Sequence, residues 1–110
     1  MLIHPLNLAV VIDRMARLVG ADPDDIEADM AILGVEIADV TADALVEPGR
    51  WRARDYHRAD RPVSLADCVA GVCAVTMGIA LATSDAHCAH MVRDEGGAVV
   101  ALPDSKGVRP

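Results

Sequence analysis

Phenylalanine is absent from this 110-residue chain, and one tryptophan and one tyrosine make up its entire aromatic content. Any core must therefore be assembled from Ala, Val, Leu, Ile and Met, although 53% of the residues are hydrophobic. No apolar run reaches the roughly 18 residues of a membrane span. The opening MLIHPLNLAV has neither a basic segment nor a small-residue cleavage site, which argues against a signal peptide. A cytoplasmic protein with no membrane partner is expected. Cysteine is scarce and odd in number. Cys68, Cys73 and Cys88 suit buried reduced thiols better than a disulfide framework. The length allows one domain with one modest core.

Basic residues are missing from Asp22 to Glu47, where nine acids stand. They then concentrate in RWRARDYHRADR, Arg50 to Arg61, which holds five of the chain's ten, with Trp51 and Tyr56 interleaved. A net charge of −7 is wrong for a general nucleic-acid binder, but one basic strip can still meet phosphate. In that role Arg50, Arg52 and Arg54 would contact RNA or a partner, with Trp51 or Tyr56 stacking a base. The competing reading is a solvated helix face paired with the acidic segment before it.

Helical and strand patterns alternate. Pro5 to Val19 is a dense apolar stretch, expected as a largely buried helix ending at Gly20. Asp22-Pro23 is a cap followed by proline at the first helical position, and Ile26, Met30 and Leu33 form a core stripe ahead of Gly34. Val35 to Val40 alternates as a half-buried strand. Thr41 caps a third helical region that Pro48-Gly49 is expected to interrupt. Ser64 to Asp67 has the S-x-x-D form of a capping box. Leu65 to Met77 is then a helix buried on most sides, with Gly78 as its stop. Ile79 to Thr83 is an interior parallel strand, Ser84 caps a helix to about Arg93, and Ala98 to Leu102 is a last strand. The tail from Pro103 to Pro110 is expected to fray. The class is α/β with a mostly parallel sheet.

In such sheets ligands gather beyond the carboxyl ends of the strands. Asp85 follows the strand Ile79 to Thr83, and Asp67 opens the helix that precedes it. A crossover helix runs antiparallel to its strand, so both acids are expected at one rim. Two hard carboxylates there suit Mg²⁺ or Mn²⁺. The alternative is that Asp67 only caps its helix and Asp85 only ends a strand. Zinc has little support among Cys68, Cys73, His87, Cys88 and His90, because Cys68 and Cys73 lie on the apolar helix, where buried thiols are ordinary, and His87 and His90 do not match H-x₃₋₅-H. His87 and His90 are expected on the surface, and His4 and His57 carry no specific signal.

The pair Ser64-Leu65-Ala66-Asp67 and Ala82-Thr83-Ser84-Asp85 resembles the second half of a PIN domain of the VapC toxin type, as does the closing GGAVVALP. HPLNLAVVIDRM, His4 to Met15, is similar to the family segment N-L-A-E-V. The resemblance implies a three-layer α/β/α domain over residues 1–102, with 103–110 as a tail. It implies a Mg²⁺- or Mn²⁺-dependent endoribonuclease of a toxin–antitoxin pair, with Asp67 and Asp85 as catalytic metal ligands and Thr83 or Ser84 holding a water or ligand. RNA and a cognate antitoxin are the implied partners. Two of the family's four acids have no counterpart. Val10 stands at one position, with Asp13 one turn away, and the family's first, central strand with its acid would precede Met1. Activity is therefore expected to be impaired, with a non-catalytic module binding RNA or an antitoxin-like partner as the alternative. The strands flanking that missing strand would close on each other, or a second copy would donate one in a homodimer, or the reading frame would begin upstream.

Overall fold

The computed structural model describes residues 1–110 apart from the side chain of Asp43. It is α/β, with short parallel strands between helices. The chain divides into two compact units, Met1–Val40 and Thr41–Pro110. Among the described residues no helix is long and apolar enough to cross a membrane.

In the first unit, strand β1 (Leu2–Ile3) runs parallel to β2 (Glu36–Ile37), with Leu2 opposite Glu36 and Ile3 opposite Ile37. Parallel strands need a long crossover, and helices α1 (Pro5–Arg14) and α2 (Pro23–Ile32) supply it. A π-helical turn, Met15–Val19, extends α1 to Gly20, whose φ of 76° is the left-handed geometry that glycine adopts without a Cβ clash. Asp22 caps α2 by accepting a hydrogen bond from the Asp24 amide at 2.8 Å. His4 caps α1: its Nδ1 accepts from the Leu6 amide at 3.0 Å, and the residue is buried.

The first unit corrects several expectations. Of α1, only Leu8 is fully buried. The α2 stripe buries Ile26, but Ile32 and Leu33 are 82% and 76% exposed. The expected strand Val35 to Val40 contracts to two residues, which pair with β1. The acidic sequence supplies too few apolar neighbours to cover the second half of α2.

The second unit holds the larger core. A 3₁₀ turn, Ala42–Leu45, runs into α3 (Val46–Asp55). Pro48-Gly49 does not interrupt α3. Pro48 lies in its first turn, where an amide has no helical acceptor to lose. After a bridge between His57 and Arg61 come α4 (Leu65–Met77), β3 (Leu81–Thr83), α5 (Ala86–Asp94) and β4 (Val99–Ala101). β3 and β4 are parallel, with Leu81, Ala82 and Thr83 opposite Val99, Val100 and Ala101. Helix α5 packs on both strands and on α4.

The core joins Trp51, Val63, Cys68, Val72, Cys88, Met91 and Val92, with Leu81 and Val99 against it. Trp51 belongs to this core, 4% exposed, and so cannot stack on an external base. The exposed tail folds into a turn. Asp104 Oδ1 accepts from the amides of Lys106 and Val108 at 2.8 and 2.9 Å, and Arg109 donates to the Ala101 carbonyl.

Candidate functional site

The site begins with two helix starts. Ser64 Oγ accepts from the Asp67 amide at 3.1 Å, and Asp67 Oδ2 accepts from the Ser64 amide at 2.9 Å. This is a complete capping box, the arrangement that S-x-x-D predicts. At α5 the cap is Asp85, not Ser84. Its Oδ1 accepts from the Cys88 amide at 2.7 Å, and its own amide donates to Thr83 Oγ1 at 3.1 Å. Asp85 wins because its carboxylate carries a full charge to the positive end of the helix, which a serine hydroxyl lacks. Ser84 stays exposed in the bend between β3 and α5.

Each acid therefore commits one oxygen to a helix end and keeps the second outside that cap. Asp67 is half-buried and Asp85 exposed. The charges of both act on Cys88, a buried residue of the first turn of α5. Burial, then the charge of Asp67, then that of Asp85 push its thiol up to about 12, and a hydrogen bond with Thr83 opposes them. One sulfur thus lies within electrostatic reach of both carboxylates and of Thr83. Cys68, next to Asp67, is pushed up to about 11, first by burial and then by the Asp67 charge.

A carboxylate oxygen is a hard donor of the kind that Mg²⁺ and Mn²⁺ prefer, and each acid has one outside its cap. Among the described residues no group of three or more His, Cys, Asp or Glu is placed to hold a metal ion. Val10, half-buried on α1, adds no ligand, and Asp13 forms an exposed ion pair with Arg17 at 3.0 Å. His87 and His90 are exposed.

The basic strip separates into distinct roles. Arg50 pairs with Glu47 at 3.2 Å. Arg54 reaches across to Glu95 with two bonds of 2.9 and 2.8 Å. Arg61 bridges Asp55 and Asp94. Of the acids that pair with these arginines, Glu47 precedes the strip, Asp55 lies within it, and Asp94 and Glu95 follow it. Arg52 differs: its Nε donates to the Val63 carbonyl at 3.2 Å, and its guanidinium stands 4.5 Å from the centre of the Tyr56 ring. These two residues line an open cleft of about 410 Å³ with Gly49, Ala53 and Leu65, and Leu65 opens the helix that carries Asp67. Tyr56 is 43% exposed, which leaves it, unlike Trp51, accessible to a ligand.

No protein-family model, no curated protein and no solved structure matches this chain at a significant level.

Proposed function

We propose that this chain is a PIN-like module of the VapC toxin type: an endoribonuclease whose metal site is impaired, acting on RNA and paired with a cognate antitoxin. What supports this reading is that Asp67 and Asp85 each stand at a helix start with one oxygen outside the cap, and that the charges of both raise the pKa of one thiol, Cys88. The paired motifs around those two acids supply the resemblance.

In this reading Asp67 and Asp85 hold Mg²⁺ or Mn²⁺, and the cleft beside Leu65 receives the RNA chain. Such an ion supplies Lewis acidity at a phosphate oxygen and a more acidic bound water. Arg52 offers positive charge to a phosphate, and Tyr56 offers an exposed ring to a base. Thr83 fixes the Asp85 backbone and so the direction from which that acid approaches.

One observation favours the second reading, a non-catalytic module that binds RNA or an antitoxin-like partner. One oxygen of each acid is already engaged in a cap, and among the described residues no third ligand joins them. The test is cleavage of RNA by the purified chain with Mg²⁺ or Mn²⁺, beside Asp67→Ala and Asp85→Ala. Metal-dependent cleavage lost in both variants upholds the nuclease. Cleavage unchanged in both removes the site. RNA binding without cleavage selects the non-catalytic module.

A further inference from the structure

Asp55, the last residue of α3, has a side chain only 10% exposed, and its two oxygens meet different surroundings. Oδ1 accepts from Arg61 Nη1 at 3.2 Å. Oδ2 is buried and receives no hydrogen bond from any donor among the described residues. Neighbouring ion pairs bring Asp55 into one cluster with Glu95, the residue that follows α5: Arg61 joins Asp55 to Asp94, and Arg54, next to Asp55, grips Glu95. The grip on Glu95 is two-pronged.

Two carboxylates in one such cluster repel each other when both are ionised, and here ionisation would also strand a buried acceptor. One proton between them removes both penalties. Its location follows from the partners. Glu95 has a guanidinium to itself, which favours its charged form. Asp55 has one longer bond from Arg61, whose other nitrogen serves Asp94.

We propose that Asp55 takes up a proton from solvent and donates it from Oδ2 to Glu95. The resulting bond is a pH-sensitive latch between the ends of α3 and α5. Every charged or titratable neighbour on the packed elements fits that role. On α5, Asp94 shares Arg61 and adds negative charge beside Glu95. On α4, the Cys68 thiol senses both acids and stays neutral throughout the relevant range. On α3 itself, Arg54 and, more remotely, Glu47 complete the set. On the connector, Arg61 faces Asp55, while His57 faces Asp60 at 3.4 Å.

Burial first, then the Glu95 hydrogen bond and the Glu95 charge push Asp55 up to about 6, against Arg61 and Arg54. Arg54 foremost holds Glu95 below the usual carboxylate range. The sign follows. Asp55 binds its proton more tightly in the folded state than in the unfolded one. Its contribution to stability is therefore complete below the ordinary aspartate value and is lost as pH rises through about 6. The latch is closed in mild acid and open at pH 8.

Carbon-13 NMR titration of the side-chain carboxyls in the full chain tests the assignment directly. An Asp55 midpoint near 6, shifted down in Glu95→Gln, is expected; an Asp55 midpoint in the ordinary aspartate range overturns the proposal. Asp55→Asn, whose amide can donate to Glu95 at every pH, gives a second reading. The difference in unfolding temperature between Asp55→Asn and the parent should move in favour of the variant from pH 5 to pH 8. A difference that stays constant over that interval overturns the latch. If the variant does not fold, the NMR titration of the parent chain decides.

Discussion

Trp51 lies so close over Gly71 that a Cβ on Gly71 would stand 2.7 Å from the indole Cζ3, with Val92 Cγ2 at 3.0 Å on another side. The glycine is a seat for the ring, and the ring cannot retreat from a core it shares with Met91 and Val92. Gly71→Ala gains a little helix propensity, worth about 1 kcal/mol. Overpacking costs about 1–3 kcal/mol and can be relieved here only by moving Trp51. The expected result is a lower unfolding temperature with a shifted tryptophan emission, measured by thermal denaturation followed by fluorescence. A stabilised variant with unchanged emission would show that the indole has room the packing denies.

Asp67 has a structural role that must be separated from any metal role. Asp67→Asn keeps an acceptor for the Ser64 amide and loses only the charge near the helix start, at a cost of about 0.3–1 kcal/mol. Ser64→Ala removes the reciprocal half of the box and costs about 0.5–2 kcal/mol. Stability should therefore fall further in Ser64→Ala than in Asp67→Asn. Broadening of NMR signals by Mn²⁺ around residues 67 and 85 should vanish only in the aspartate variant. Equal broadening in parent and Asp67→Asn would leave Asp67 as a cap alone.

The two best-placed arginines of the basic strip should behave differently. Arg54→Ala leaves the mostly buried Glu95 without its guanidinium and should lower stability, because a lost charged partner strands the other group. Arg52→Ala and Tyr56→Ala remove an exposed stacked pair that holds little of the core. Tyr56→Ala should leave the unfolding temperature nearly unchanged, whereas Arg52→Ala should lower it by the lost bond to the Val63 carbonyl, about 0.5–1.5 kcal/mol. Both should weaken binding of single-stranded RNA, by about 1–3 kcal/mol for a stacked base. Fluorescence anisotropy with a labelled oligonucleotide measures this. Affinity unaffected by both changes would remove the cleft from the binding surface.

Much of the second unit was legible because its signals are local. Ser64 and Asp67 lie three residues apart and cap each other without help from the rest of the chain, and Gly78 stops α4 with a positive φ. The helix–strand–helix–strand order from Leu65 to Ala101 follows from such punctuation. What escaped the sequence depended on distant partners. Two-residue β1 has no pattern of its own and exists through β2, more than thirty residues later. Trp51 looked like an interleaved aromatic in a basic strip, and only Gly71 and Val92 reveal it as core. His4 carried no motif, because a histidine cap is a matter of backbone direction and burial. Asp55 and Glu95 are separated by forty positions of ordinary charged sequence, and nothing local pairs them. The acids Asp67 and Asp85 were suggested by topology, but their capping bonds come from single turns of helix.

The His4 cap gives the first unit a pH dependence of opposite sign to that of Asp55. Its Nδ1 accepts from Leu6, so the ring must be neutral at that nitrogen, and burial lowers its pKa from the ordinary histidine value. The unfolded chain therefore takes up the proton more readily. The cap's contribution is complete above the ordinary histidine value and is lost as pH falls through the lowered folded value. Amide exchange at Leu6 and Leu8 should accelerate as pH is lowered from 7 to 5, after correction for the intrinsic rate. His4→Asn, which offers an uncharged acceptor, should abolish that acceleration. Persistence of the acceleration in the variant would place its cause elsewhere.

The thiols offer the last check on how the second unit is packed. Alkylation requires a thiolate that the reagent can reach. Cys68 and Cys88 are buried, with thiols pushed up to about 11 and about 12, so at pH 8 neither condition is met. Cys73 is half-buried on the outer side of α4, its Sγ 3.7 Å from Met77 Sδ, and burial alone raises its pKa. Iodoacetamide should therefore label Cys73 first and slowly in the native chain, and all three rapidly in denaturant. Mass mapping of the labelled peptides reads the order. Early labelling at Cys88 would mean that the start of α5, with its Asp85 cap, opens in solution.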